Sequence, residues 1–183
     1  EQTRFMLASG PAGVMAATNE AVAAAQDPMT WYVYGAVILL CLISFRSIRA
    51  TMAVILPLYI VTVLATALMT LLDIGLTVST LPVIALGVGI GVDYGIYILT
   101  NMTQPLRDGM PLREAYYNAL KSTGSAVLFT AVTLAIGVST WVFSALKFQV
   151  DMGILLTFMF IVNMLGAVFV LPALAAFFWR KNR

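Results

Sequence analysis

Five apolar runs dominate the chain, and each is long enough to cross a lipid bilayer. They cover residues 29–45, 50–72, 77–102, 122–146 and 152–179. A helix rises 1.5 Å per residue, so about 20 residues cross a hydrocarbon core of about 30 Å. Only 10% of the 183 residues are charged and 61% are hydrophobic, whereas about a quarter of a soluble domain is charged. The sequence therefore predicts an all-α membrane protein, a bundle of five transmembrane helices.

The segment before the first run, residues 1–28, has a different composition. A Gly- and Pro-containing break at residues 9–13 precedes an alanine-rich stretch, residues 14–26, with high helix propensity. The segment is too small to bury a core of its own. We therefore predict the end of an extracytoplasmic domain and a short extramembrane connecting helix. Because the chain begins at Glu1 rather than methionine, we expect it to be part of a longer protein.

The loop charges predict an orientation. With the N-terminus outside, the outer segments contain only Arg4 and Lys147, and the inner segments contain eight basic residues. The eight are Arg46, Arg49, Arg107, Arg113, Lys121, Arg180, Lys181 and Arg183. Short cytoplasmic loops carry the excess of lysine and arginine. We therefore expect a periplasmic or extracellular N-terminal segment and a basic cytoplasmic tail, residues 180–183.

The inner loop before the fourth run has helical periodicity of its own. Apolar or small residues recur on one side, and charged or polar residues occupy the other. The first set is Leu112, Ala115, Tyr116, Ala119 and Leu120, and the second is Arg113, Glu114, Asn118 and Lys121. The pattern predicts an amphipathic helix over 112–121 on the inner membrane surface. Docking of a partner helix is the alternative.

Asp93 is the one charged side chain inside any of the five runs. A carboxylate near the bilayer centre costs roughly 2.5–3.5 kcal/mol on insertion scales, so an intramembrane acid is a candidate functional residue. Because burial disfavours the charged form, such an acid can take a proton from one side of the membrane and release it on the other. We interpret Asp93 as a proton-binding site, with a structural hydrogen bond or ion pair as the alternative.

The third run has two distinct faces at 100° per residue. One face carries Leu86, Gly89, Asp93 and Tyr97, and the opposite face carries Gly87, Gly91 and Gly95. The glycines form a small-xxx-small stripe that predicts close helix packing, with a flexible joint as the alternative. We expect the Asp93 face to point into the protein or into a water-filled path.

Other polar residues in the runs could assist Asp93. Tyr94 could donate a hydrogen bond to a carboxylate on a neighbouring helix or serve as an ordinary packing residue. Thr130 and Thr133 share a face of the fourth run and could join a relay, although membrane threonines commonly bond to their own backbone. Asn163 in the fifth run predicts a hydrogen bond between helices.

Several function classes find no support in the sequence. There is no histidine, a single cysteine, no phosphate-binding glycine loop before a lysine and no carboxylate cluster suited to a metal. The basic residues are scattered, which does not suggest nucleic-acid binding. We therefore expect neither an enzyme nor a bound metal or cofactor.

The ordered motifs resemble the resistance–nodulation–division (RND) superfamily, most closely its MMPL-type exporters. The residues concerned are Gly89-x-x-x-Asp93-Tyr94-Gly95, Glu114-Ala115, Ala119-Leu120, Thr123-Gly124, Thr130-Ala131-x-Thr133 and Leu171-Pro172-Ala173-Leu174. The resemblance covers about residues 9–179. It identifies the chain with the last five helices of one half-transporter, and the basic tail favours the C-terminal half.

The resemblance implies a proton-motive-force-driven exporter of lipids or other hydrophobic compounds in a bacterial inner membrane. Asp93 and Tyr94 would be proton-relay residues flanked by Thr130 and Thr133, with protons as the coupling ion and no cofactor. The implied partners are membrane lipids, a hydrophobic substrate, the other half with its extracytoplasmic domains, and further copies in a homo-oligomer. The fourth run lacks the lysine or arginine that multidrug pumps pair with their acids, which favours the MMPL branch.

A second interpretation belongs to a different class. The same five-helix unit also resembles sterol-sensing domains and the SecD/SecF protein-export accessory proteins. On that interpretation the chain is a non-transporting lipid-sensing or accessory module, and replacing Asp93 by asparagine in a lipid sensor would be tolerated.

Overall fold

The structure is a computed structural model that describes residues 10–75 and 80–180. Its regular secondary structure within those ranges is helical throughout. The α-helices are α1 (Pro11–Phe45), α2 (Ile48–Leu71), α3 (Leu81–Arg107), α4 (Leu112–Ala119), α5 (Ser125–Ser139), α6 (Lys147–Leu165) and α7 (Leu171–Arg180). π-Helical turns at Leu120–Gly124 and Gly166–Val170 join α4 to α5 and α6 to α7, and a 3₁₀ turn at Thr140–Phe143 follows α5.

Five continuous helices in the described residues are long and apolar enough to cross a membrane, as predicted. They are α1, α2, α3, α4–α5 and α6–α7, and their most apolar stretches have mean hydropathies of 1.7 to 2.6. The third helix extends to Arg107 and the fifth begins at Lys147, both beyond the predicted bounds. Residues 77–79 of the predicted third run and 181–183 of the basic tail lie outside the described residues.

The structure does not show the separate N-terminal helix predicted before residue 29. Instead, α1 runs without interruption for 35 residues from Pro11 to Phe45, with Pro28 in its interior. The predicted break is confined to its very start, where Gly10 has a φ of 126° and Pro11 occupies the first helical turn. The alanine-rich stretch therefore continues directly into the apolar run, because a proline in an apolar helix removes only one backbone donor. Residues 1–9 lie outside the described part of the chain.

The helix predicted over 112–121 is not separate from the fourth span. Helix α4 forms, but it continues through the π turn into α5, so that Leu112–Phe143 is one 32-residue helix. Its small side, Ala115 and Ala119, is fully buried, and α4 packs against α3. No residue between α4 and α5 stops the helix, since Gly124 is accommodated inside it. The position of α4 at a membrane surface stays a prediction.

Helix α3 lies at the centre of the bundle, in contact with α1, α2, α4 and α6. Ile98, Leu99 and Met102 have no exposed surface and belong to its core side. Helix α5 packs mainly along α6. This arrangement leaves one side of α3 without a covering helix from the described part of the chain.

The π turn at Gly166–Val170 has an identifiable cause in Pro172. Proline has no backbone N–H, so it cannot donate to the carbonyl of Val168, four residues earlier. The Tyr116 hydroxyl of α4 donates to that carbonyl instead, at 2.7 Å. The contact therefore satisfies a backbone group that the proline leaves unpaired, and it ties α4 to the joint between α6 and α7.

Removing this hydroxyl should destabilise the bundle. We expect Tyr116→Phe to lower the free energy of unfolding by about 1–3 kcal/mol, because the Val168 carbonyl loses its partner in a water-poor setting. Thermal unfolding in detergent micelles measures the effect. Tyr117→Phe is the matched control, since that side chain is 65% exposed. Equal melting temperatures for the two variants would contradict this role for Tyr116.

Candidate functional site

A groove of about 470 Å³ lies between α3 and α5 and contains Asp93. Helix α3 contributes residues 90–97 to one wall, α5 contributes residues 126–134 to the other, and the π turn at Leu120–Gly124 lies at one end. The polar lining residues are Asp93, Tyr94, Tyr97, Ser122, Thr123 and Thr130. Asp93 is the only charged one among the described residues, so the groove presents a single carboxyl group surrounded by hydroxyls.

Asp93 points into this groove and away from the five-helix core. It is exposed in this chain, and Leu86 and Tyr97 on the same face are 48% and 59% exposed. This face therefore does not point into the core of the five helices, and the other predicted possibility, a water-filled path, stays a prediction. The opposite side of α3 faces the core. There the neighbouring helices pack so closely that only residues without a side chain fit.

The glycine stripe forms that packed side. Gly87 lies against Met159 and Gly91 against Asn163, both on α6, while Gly95 lies against Val54 on α2. A Cβ atom at Gly91 would be 2.5–2.6 Å from three atoms of the Asn163 side chain, closer than real Cβ contacts allow. The absence of side chains on this face thus sets how closely α3 approaches its neighbours.

Asn163 confirms the hydrogen bond between helices that the sequence predicts. Its side chain is 4% exposed and donates through Nδ2 to the carbonyl of Gly87, at 2.8 Å. The amide lies directly over Gly91. α3 is therefore held to α6 by a buried polar contact on the face opposite Asp93.

Tyr94 lines the groove but is only 2% exposed, and its hydroxyl has no hydrogen-bond partner in the described part of the chain. A buried hydroxyl without a partner is costly. The relay role of Tyr94 stays a prediction.

The two candidate threonines occupy different surroundings. Thr130 lines the groove together with Asp93, whereas Thr133 is exposed and is not among the lining residues. The bonding of membrane threonines to their own backbone, which was the alternative to a relay role, occurs on α2. There Thr62, Thr66 and Thr70 each donate to the carbonyl four residues earlier. The structure therefore brings Asp93, Tyr94 and Thr130 to one groove and leaves Thr133 outside it.

The polar end of the groove was not predicted from the sequence. Asn101 donates through Nδ2 to the Thr123 hydroxyl at 2.8 Å and to the Tyr97 carbonyl at 2.9 Å. The four-residue spacing of Asp93, Tyr97 and Asn101 would have placed Asn101 on the Asp93 face. Ser122 and Thr123 were not assigned to the site, although Thr123 belongs to the Thr123-Gly124 motif, because the predicted boundary between the surface helix and the fourth span fell on them.

Comparison with known protein families matches residues 6–182 to the MMPL family. A membrane protein of Methanocaldococcus jannaschii is 31% identical over 117 residues, 64% of this chain and 30% of that protein. The Streptomyces coelicolor membrane protein ActII-3 is 26% identical, covering 94% of this chain and 25% of its own length. "Probable transport protein MmpL12" of Mycobacterium tuberculosis is 28% identical over 61% of this chain and 10% of that protein. The chain thus spans less than a third of each of these relatives.

Proposed function

The chain belongs to the MMPL family of the RND superfamily, and we propose that it forms part of a proton-driven exporter of lipids or other hydrophobic compounds. Membership makes it a multi-pass membrane protein of a transport family. The name of the relative MmpL12 supports transport. Proton coupling and a lipidic substrate go beyond family membership and are part of what we propose.

The observation that carries the proposal is the position of Asp93 in an uncovered groove on an apolar bundle. Facing hydrocarbon, a carboxylate would cost roughly 2.5–3.5 kcal/mol on insertion scales. We therefore propose that a second set of helices, the other half of the transporter, covers the groove. Tyr94 lines the same groove, and its hydroxyl, unpaired within the described residues, would join the relay in a state of the cycle that exposes it.

Proton binding and release at Asp93 would drive the transport cycle. A proton crossing the membrane supplies about 2.3 kcal/mol per 100 mV, in addition to any pH gradient. The neutral and charged forms of Asp93 differ in the surroundings they favour, so each form stabilises a different packing of α3 against the covering helices. Thr130, across the groove on α5, would bind the carboxyl group directly or through water, and Thr133 would flank it from outside the groove lining.

The remaining parts of the proposal concern placement and partners. The loop charges support a cytoplasmic C-terminus and an extracytoplasmic N-terminal segment in a bacterial inner membrane. Extracytoplasmic domains, on this or another polypeptide, would select the substrate and convert the helix movement into export. Membrane lipids and further copies of the transporter complete the set of expected partners.

The experiment uses the complete transporter in sealed vesicles with an imposed pH gradient. We expect export of a fluorescent lipid analogue that stops when a protonophore collapses the gradient. Export that continues without the gradient would contradict proton coupling. Vesicles that bind the lipid but never export it, with or without the gradient, would favour the non-transporting lipid-sensing or accessory module.

A further inference from the structure

We infer that Thr123 and Ser122, held in position by Asn101, form the inner end of the proton path from Asp93. This inference rests on the proposed proton coupling. The proton that leaves the Asp93 carboxyl group passes to water in the groove. The Thr123 hydroxyl oxygen then takes a proton from that water and gives up its own hydrogen to bulk water beyond it, so each O–H bond that breaks is replaced by one that forms and no further reactant is needed.

The path follows one face of α3. Asp93, Tyr97 and Asn101 are spaced four residues apart, so they lie one above the other over about 12 Å of helix. Helix α5 runs antiparallel beside them, which places its first turns and the π turn next to Tyr97 and Asn101. Ser122 and Thr123 therefore form the end of the groove nearest the Arg107 end of α3, the side that the loop charges assign to the cytoplasm.

The two hydrogen bonds of Asn101 have a fixed direction. Asn101 Nδ2 uses one hydrogen for the Tyr97 carbonyl and the other for the Thr123 hydroxyl oxygen. Thr123 is therefore an acceptor toward Asn101, and its own hydrogen remains available to Ser122, 3.3 Å away, or to water in the groove. The Ser122 hydroxyl itself donates to the Ala119 carbonyl, at 3.2 Å. Asn101 acts as a positioning residue, because it carries no mobile proton and orients the hydroxyl that does.

The π turn explains how these hydroxyls reach the groove. A π turn inserts an extra residue into the helix and rotates the side chains that follow, and such turns recur at functional sites. Ser122 and Thr123 lie inside the turn Leu120–Gly124, and both line the groove with Asp93. The continuous helix α4–α5 is thus irregular at the residues whose hydroxyls line an otherwise apolar side of the groove.

The competing explanation is that the contact between Asn101 and Thr123 only holds α3 to the π turn. The exposure of these two residues distinguishes the two explanations. Asn101 is exposed and Thr123 is partly exposed. Because both residues lie at the end of the groove nearest the predicted cytoplasmic surface, water replaces their hydrogen bond when it breaks, and the bond contributes little to stability. If the cluster were only structural, deleting the Thr123 hydroxyl would change neither the stability nor the rate of proton flow by much.

The test measures proton uptake by the complete transporter in vesicles under an imposed pH gradient. We expect Thr123→Val, which keeps the shape and removes the hydroxyl, to slow proton uptake about tenfold. Thr123→Ser should restore the rate, and the substrate concentration for half-maximal export should not change. Thr70→Val on α2 is the matched control, because its hydroxyl bonds only to its own helix.

The outcomes separate this inference from the proposed function. A normal rate for Thr123→Val, with uptake abolished by Asp93→Asn, would overturn the inner path and leave proton coupling intact. A normal rate for Asp93→Asn would overturn proton coupling itself. A melting temperature that falls together with the uptake rate in Thr123→Val would also overturn the inference, because the slower uptake would then follow from a weakened fold.

Discussion

Replacing Asp93 by asparagine should abolish proton-coupled export while leaving the bundle folded. Asparagine has nearly the same shape as aspartate, but its amide cannot bind and release a proton near neutral pH. Loss of a positioned proton-transfer group costs typically about 10²–10⁴-fold in rate, so we expect export to fall at least about a hundredfold. The fold should tolerate the change, because Asp93 is exposed in the groove and its side chain makes no hydrogen bond within the described residues.

Asp73→Asn is the control for this prediction. Asp73 is exposed, lies outside the groove and has a φ of 52°, a left-handed conformation that both aspartate and asparagine adopt readily. Asp93→Glu should retain part of the export, since it keeps the carboxyl group and shifts it by one methylene. Export by Asp93→Asn at the level of Asp73→Asn, with equal expression, would show that Asp93 does not carry protons.

The number of helices long enough to span a membrane and the position of Asp93 inside one of them could be predicted, because each depends on local composition. Apolar runs of about 20 residues have few alternatives to a membrane helix, and a single carboxylate inside one of them is conspicuous. The stripe of Gly87, Gly91 and Gly95 could be predicted as well, because a spacing of four residues places all three glycines on one face of a helix. The structure supplies what periodicity could not, which is the identity of the opposing residues on α6 and α2.

Helix continuity could not be predicted from local signals. The Gly-Pro break before α1 and Pro28 within it resemble helix ends, yet α1 runs through Pro28. The segment around residue 120 likewise combines a polar face with a glycine, but it remains helical through a π turn. Around residue 120, α4 packs against α3 through the buried Ala115 and Ala119, and this packing outweighs a local propensity of about 1 kcal/mol. Helix α1 is mostly exposed on both sides of Pro28, so packing does not explain its continuity.

The composition of the groove depends on contacts between distant residues. Thr130 and Thr133 looked equivalent in sequence, and only the approach of α5 to α3 places Thr130 in the groove and Thr133 outside it. The contact of Asn101 with Thr123 joins positions that are 22 residues apart. The chain reverses direction between them, and no sequence pattern predicts how closely the two positions then approach each other. Long-range geometry of this kind has no signature in a single sequence.

Gly91→Ala should be the most destabilising single methyl addition on the glycine stripe. The new Cβ would lie 2.5–2.6 Å from Cγ, Nδ2 and Oδ1 of Asn163, a planar amide that is 4% exposed and has little room to move. Overpacking costs typically about 1–3 kcal/mol. Displacing the amide also breaks its bond to the Gly87 carbonyl, which adds about 1–3 kcal/mol for a buried polar group. Thermal unfolding in detergent measures the sum.

Two further variants separate the steric effect from a general effect of alanine. Gly35→Ala on α1 is the control, since a Cβ there meets no atom within 4 Å, and its melting temperature should not fall. The double variant Gly91→Ala/Asn163→Ala removes the obstructing amide, so its loss of stability should be smaller than the sum of the two single losses by about 0.5–3 kcal/mol. Additive losses would show that Gly91 and Asn163 do not oppose each other, and that the approach of α3 to α6 is set by other residues.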